Sequence, residues 1–144
     1  MATKRANPYL NCNFLVEIDG VATAAFAEVR LPDMTIDVVE YREGSDKVNS
    51  VRKLPGLAKY GNLVLERGIV GDVELFQWMR AVSQGQPERR NLAVVLLDEQ
   101  RNPVQRWLVR NAFPVKYQGA VLNAKGNEVA VESLELACEG LDIE

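Results

Sequence analysis

Apolar residues recur at every second position along most of this chain, and that spacing is the strongest limit on its fold. Cys12, Phe14, Val16 and Ile18 alternate with Asn13, Leu15 and Glu17. After the Asp19-Gly20 turn signal and the small apolar segment 21–25, Ala25, Ala27, Val29 and Leu31 alternate with Phe26, Glu28 and Arg30. A bend at Pro32-Asp33 precedes Met34, Ile36 and Val38, which alternate with Thr35, Asp37 and Val39. Leu63 and Leu65 alternate with Asn62, Val64 and Glu66. A repeat of two places one face of a strand on a core and the other in water. Residues 92–98 form a nearly continuous apolar run, and Asn102-Pro103 turns the chain into 104–111, where Trp107 and Val109 alternate with Arg106, Leu108 and Arg110. Segments 113–117 and 128–139 flank a turn around Lys125-Gly126-Asn127.

One segment breaks this period. Over 72–83, Leu75, Phe76, Met79 and Val82 fall on one face at helical spacing. Asp72 is a suitable N-cap, Glu74 favours the helix dipole in the first turn, and Gly85 stops the helix. Trp78 lies beside the apolar face, where it serves either the core or an interface. About seven or eight strands and one helix imply an antiparallel β-barrel or sandwich. At 144 residues the chain suits one domain over 1–144, with no internal repeat and no low-complexity segment.

Between strand and helix lies the most unusual stretch, a charged arm over about 42–60. Loops longer than about 12–15 residues are uncommon in compact domains and are usually functional or disordered. The apolar Leu54-Pro55-Gly56-Leu57 element within this one points to a folded contact, so we read it as an arm that grips another subunit.

The chemical inventory argues against catalysis. There is no histidine, hence neither the commonest general base nor a Ser-His-Asp or Cys-His site. Two isolated cysteines, Cys12 and Cys138, do not build the usual zinc site. Two buried free thiols are the expected state, with a disulfide as the alternative. Phosphate-cradling glycine motifs are missing: Gly56 and Gly61 are followed by Asn62-Leu63 rather than Lys-Ser/Thr. The carboxylate pairs Asp98-Glu99 and Asp142/Glu144 lie in a turn and at the terminus, where they read as solvated charges rather than an acid–base pair. The short Glu88-Arg89-Arg90-Asn91 cluster reads as a cap or salt-bridge element. A net charge of −3 argues against sequence-independent nucleic-acid binding. No apolar run reaches the 18 residues of a membrane span, and the first residues lack the apolar core of a secretion signal. No cofactor or metal is expected.

The order of motifs along the chain carries a resemblance. Asn7-Pro8-Tyr9, Phe14-Leu15-Val16-Glu17-Ile18, Val39-Glu40-Tyr41-Arg42-Glu43-Gly44 and Leu54-Pro55-Gly56 come first. Glu66-Arg67-Gly68, Leu75-Phe76-Gln77-Trp78, Asn111-Ala112-Phe113-Pro114 and Asn127-Glu128-Val129-Ala130-Val131-Glu132 follow. This collinear set resembles the tail tube proteins of contractile phage tails and of phage-tail-like contractile injection systems.

The resemblance implies a β-barrel subunit without enzymatic activity that forms hexameric rings. The rings stack into a hollow tube, which a contractile sheath drives through a target envelope. A sheath protein, baseplate and terminal cap proteins are the implied partners, and DNA or effector protein is the implied cargo. Such a particle would assemble in the cytoplasm. The arm residues Arg42, Glu43, Asp46, Lys47, Arg52 and Lys53 are expected to form rim salt bridges, and Leu54, Pro55 and Leu57 the desolvated anchor. Lumen candidates are Glu28, Arg30, Thr35, Asp37, Asn62 and Glu66, whereas Met34, Ile36, Val38, Leu63 and Leu65 are expected in the core. Leu75, Phe76, Trp78 and Met79 are expected to pack the helix or form an interface. Two other readings stay open: a type VI secretion tube-like ring protein, and a small β-barrel binding module or hydrolase.

Overall fold

The computed structural model describes residues 5–19, 21–22, 26–86 and 88–144. The expected roles of Gly20 and Ala25 lie outside these residues. In chain order the elements are β1 (Phe14–Ile18), β2 (Val21–Ala22), β3 (Glu28–Arg30), β4 (Met34–Tyr41), β5 (Arg52–Tyr60) and β6 (Leu63–Gly68). Then come α1 (Glu74–Ser83), β7 (Arg90–Leu97), β8 (Pro103–Gln118), β9 (Val131–Ala137) and β10 (Gly140–Ile143). The mostly β, antiparallel architecture with one helix is as the sequence implied. Eight strands form one sheet in the order β2-β1-β7-β8-β9-β6-β3, with β10 added on β8. The remaining two, β4 and β5, pair only with each other.

The sheet folds over its own core because β8 turns a corner. Its first half pairs with β7, from Leu97↔Pro103 to Arg90↔Ala112, and its second half pairs with β9 over 113–118. Asn111 sits just before the change of partner with φ 52°, a left-handed conformation that asparagine tolerates better than most residues. Its N–H donates to Asn91 Oδ1 (3.0 Å) and its Nδ2 to Glu139 Oε2 (3.3 Å), so the corner is satisfied on both sides. The expected separate strands 104–111 and 113–117 are therefore one strand, bent but not ended.

The core draws on both halves of the sheet. Val16, Ile18, Leu92, Val94 and Val109 face inward from one, and Leu63, Leu65, Leu134 and Leu136 from the other. Leu75 and Trp78 of α1 close it. Trp78 is thus a core residue, and its Nε1 donates to the Glu88 carbonyl (2.8 Å), so the buried ring leaves no orphan donor. Arg90 lies over the same ring at 4.6 Å. At 100° per residue, Leu75, Trp78, Met79 and Val82 share a stripe and Phe76 falls off it. Phe76 is accordingly exposed rather than buried, and meets Tyr117 edge-on at 5.4 Å. The phase before β3 also differs from expectation, with Phe26 buried and Ala27 exposed.

The helix starts at Glu74, later than expected, because Asp72 is held elsewhere. Arg67 Nη2 donates to the Asp72 carbonyl (2.9 Å), while Asp72 Oδ1 accepts the Glu74 N–H (3.0 Å) from one residue outside the N-cap. Gly85, with φ 83°, ends the helix as expected. Arg67 itself is buried and donates from Nε to Glu132 Oε1 (2.8 Å); Tyr117 donates its hydroxyl to Glu132 Oε2 (2.7 Å). One ionic cluster thus joins β6, β9, β8 and the entry to the helix.

Four expectations about burial need correction. Met34, Ile36 and Val38 are not core residues: each is more than half exposed, because β4 leaves the sheet. Cys12 precedes β1 and is exposed, whereas Cys138 is half-buried; both are free thiols, and burial pushes the Cys138 thiol up.

These assignments separate two classes of apolar residue. Leu65→Ala should destabilise the unassembled chain by about 2–5 kcal/mol in urea unfolding, the range for core truncations. Ile36→Ala should stay within about 0.5 kcal/mol, as at a surface position. Hydrogen bonding to Glu132, reinforced by burial, raises the Tyr117 hydroxyl above its ordinary value of 10.0. The folded state then keeps a proton that the unfolded state releases, so stability is lost as pH rises above the unfolded value. Tyr117→Phe should reduce that alkaline slope in thermal melts between pH 9 and 11.

Candidate functional site

The expected arm loop is a β-hairpin. β4 and β5 pair from Met34↔Tyr60 to Tyr41↔Arg52, and only residues 42–51 form the turn. Both faces are exposed, so no apolar–polar alternation marks β5 in the sequence, and Pro55-Gly56 disguises it further. A register shift between Ile36 and Val38 absorbs that pair. Proline is tolerated in edge strands and at bulges. Gly56 sits in a close approach of the two strands: a Cβ there would lie 3.1 Å from the Asp37 carbonyl oxygen and 3.2 Å from Val39 Cγ2, tighter than side chains ordinarily pack.

Directly paired residues share a face of the ribbon. Met34, Ile36 and Val38 share one with Tyr60, Ala58 and Pro55. The other carries Thr35 opposite Lys59, Val39 opposite Leu54 and Tyr41 opposite Arg52. Lys59 pairs diagonally with Asp37 at 2.9 Å. Leu54 and Leu57 are exposed, Leu57 by 75%.

The turn closes on itself. Arg42 donates from Nε to the Val48 carbonyl (3.1 Å) and from Nη2 to the Asp46 carbonyl (3.2 Å). Asp46 accepts the Glu43 N–H on Oδ2 (3.0 Å) and Arg52 Nη2 on Oδ1 (2.9 Å). Tyr41 donates its hydroxyl to Glu43 Oε1 (2.9 Å). Exposed pairs contribute little singly. Here they converge on Asp46 and give the tip one shape. The structure therefore brings Arg42, Glu43, Asp46 and Arg52 together, and leaves Lys47 and Lys53 without an ion pair among the described residues.

The hairpin continues β3 and β6 through a kink. Gly61 donates its N–H to the Asp33 carbonyl (2.8 Å), and Cys138 Sγ lies 3.5 Å from the Gly61 carbonyl. Four lumen candidates lie on the solvent face of the β3–β6–β9 region: Glu28 stands opposite Glu66, Arg30 lies 3.5 Å from Glu28, and Asn62 Nδ2 donates to Glu135 Oε2 (3.3 Å). Thr35 and Asp37 are carried away on the hairpin. Lys116, Gln118, Ser133 and Glu135 complete that face and escaped the sequence reading. The signal for them was present, since Ser133 and Glu135 alternate with the buried Leu134 and Leu136.

At the far end of β6, residues 119–130 arch over a groove of about 450 Å³, with Glu66, Gln118, Val121, Leu122, Glu128 and Val129 in its wall. Asn123 braces the arch, its carbonyl accepting the Gly126 N–H (2.9 Å) and its Oδ1 the Lys125 N–H (3.0 Å). Ile69 donates its N–H to the Ala130 carbonyl (2.9 Å).

Each carboxylate of the two pairs has its own partner. Glu99 is held at about 2 by the hydrogen-bonding Arg5, which also stacks on Tyr9 at 3.7 Å. Asp98 Oδ1 accepts the N–H groups of Gln100 and Asn102 within its own turn. Asp142 pairs with Arg110 and Glu144 with Arg106. In the basic cluster, Arg89 pairs with Glu139 and Arg90 with Glu88. No helix of the described residues is long and apolar enough to cross a membrane.

The bulge can be tested directly. Gly56→Val should lower amide protection across β4 and β5 in hydrogen exchange, and leave β6, β8 and β9 as in the unaltered protein.

The T4-like virus tail tube protein gp19 family matches residues 10–142. A chain in the cryo-EM structure of the anti-feeding prophage baseplate is similar at TM-score 0.83 and 27% identity, covering 97% of each chain. A chain in the sheath–tube complex of the extracellular contractile injection system PVC, in the extended state, gives TM-score 0.85 and 26% identity over 95% of this chain and 91% of that one. Hcp1 from Flavobacterium johnsoniae, at TM-score 0.56 and 17% identity over 90% and 93%, shares the fold alone. No curated sequence matches. A family match over nearly the whole chain, with a fold shared from end to end with contractile injection proteins, leads to one conclusion: this chain belongs to the T4-like virus tail tube protein family.

Proposed function

We propose that this protein forms hexameric rings that stack into the hollow inner tube of a contractile tail or injection particle. The observation that carries this reading is the β4–β5 hairpin. It is a two-stranded ribbon with apolar side chains exposed on both faces and, among the described residues, no third strand on either edge. Free edges and contiguous exposed apolar residues mark an association surface. A two-stranded ribbon alone is marginally stable in water, so this one gains most from neighbours. Leu54, Pro55 and Leu57 supply the desolvated anchor, and the charged tip supplies the rim.

The solvent face with Glu28, Arg30, Asn62 and Glu66 lines the channel. Glu135 adds to its acidic character and Lys116 offsets part of it. Repeated round a ring, a polar surface leaning acidic repels nucleic acid, so a polyanion slides rather than sticks. Effector protein is the other cargo such a channel admits. The sheath protein, the baseplate and a terminal cap are the partners, and the similar injection-system chains stand in a baseplate and a sheath–tube complex. The role is mechanical, and no catalytic step is assigned. Assembly takes place in the cytoplasm. The type VI reading rests on fold alone and is set aside.

Negative-stain electron microscopy tests the assembly. The unaltered protein should form rings or hollow tubes, and replacement of residues 52–57 by a Gly/Ser linker should abolish stacking. Protein that stays monomeric at high concentration, and also in the presence of baseplate, would overturn the reading.

A further inference from the structure

We infer that the groove beneath the 119–130 arch holds polypeptide cargo in the channel, seating an apolar side chain beside a basic one. This rests on the tube reading above and names the class of cargo that the channel retains. The groove is part of the channel wall. Its floor is Glu66 of β6, Val131 and Ser133 of β9 and Gln118 of β8. These stand side by side in the sheet, Glu66 paired with Ser133 and Ser133 with Gln118. They share the solvent face that carries Glu28 and Glu135. The arch forms the other wall, and the space of about 450 Å³ between them falls in the range of ligand clefts.

The arch offers apolar surface where a water-filled channel needs none. Val121, Leu122 and Val129 line the groove and are 90%, 85% and 78% exposed. Exposed apolar side chains that cluster mark a binding surface. Asn123 holds the arch in shape, its carbonyl accepting the Gly126 N–H and its Oδ1 the Lys125 N–H. A preformed wall loses little freedom when it binds.

Charge selects the ligand. The groove is walled by Glu66, Glu128 and Glu132 and by no lysine or arginine. Around it, Arg67 neutralises Glu132, Arg30 lies beside Glu28, and Lys116 stands opposite Glu135. Glu66 and Glu128 make no ion pair among the described residues, and against them the arch sets only Lys125. Acid is therefore in surplus. Nucleic acid is unsuited, since its phosphates meet like charge and the wall has no aromatic ring on which a base could stack. A polypeptide fits, with an apolar side chain on Leu122 and Val129 and a lysine or arginine on Glu66 or Glu128. One such contact is weak. Repeated round every ring and from ring to ring, the contacts retain a long chain by avidity, yet each releases alone and the chain can move.

Sedimentation of assembled tubes with fluorescent probes tests the inference. A peptide of repeated Leu-Lys-Ser should sediment with the tubes. Its Leu-Glu-Ser counterpart and a single-stranded oligodeoxynucleotide of the same length should stay in solution. Leu122→Ser and Glu128→Gln should each still form tubes and should retain the lysine peptide at least about tenfold less. Undiminished retention, capture of the oligodeoxynucleotide, or loss of tubes in either variant would overturn the inference. Val121→Cys in a Cys12→Ser background gives a second readout, with Cys12→Ser alone as the blank. Its thiol should react with a small maleimide in bare tubes and be shielded once the lysine peptide is bound. A thiol that stays silent in bare tubes would put the arch between copies rather than on the channel, which overturns the inference and leaves the tube reading standing. Unaltered protein without rings or tubes would instead remove the tube reading, and this inference with it.

Discussion

The corner in β8 is the constraint on which the other elements depend. A sheet can bury only one face against itself if some strand belongs to both halves. β8 does so, pairing with β7 and β10 as far as Ala112 and with β9 from Phe113 onward. The left-handed backbone at Asn111 redirects the strand, and the Asn91 and Glu139 side chains meet the groups it would otherwise strand. Val109 and Ala112, either side of the corner, are fully buried. Everything packed on the core takes its position from that bend.

The second organising element is ionic. Arg67, Glu132 and Tyr117 form a buried cluster with every strong hydrogen-bonding group engaged, and Arg67 reaches the Asp72 carbonyl where the chain enters α1. Removing one member of a buried pair is strongly destabilising because it leaves an uncompensated charge. The cluster therefore fixes the helix on the sheet more by the penalty of disruption than by net attraction. Trp78, bonded to Glu88, fixes the same helix from its other side.

Much of this was legible beforehand, for physical reasons that differ by element. Strands with one buried face announced themselves: Val16 and Ile18, and Leu63 and Leu65, alternate because water lies on one side only. The hairpin did not, since solvent reaches both of its faces in the single chain. Met34, Ile36 and Val38 alternate as a core strand would, yet face water here. β5 carries Pro55 and Gly56, which signal a turn locally and are accommodated instead by a bulge with Val38 and Asp37 opposite. The collinear motifs identified the family where local periodicity fell short. The acidic face near Glu66 was half visible, because cross-strand neighbours such as Glu135 depend on register, which no single segment encodes.

The kink at Gly61 has a mechanical consequence. Beyond it the ribbon is covalently continuous with β3 and β6, and β6 lies between β3 and β9, one strand in from the edge of the sheet. Tension carried by the ribbon reaches β6 at its Leu63 end, and the part of it directed along the strand runs parallel to β6. Ladder bonds run perpendicular to the strands. They are then loaded in shear and must yield together, whereas a pull across the sheet would open them one at a time.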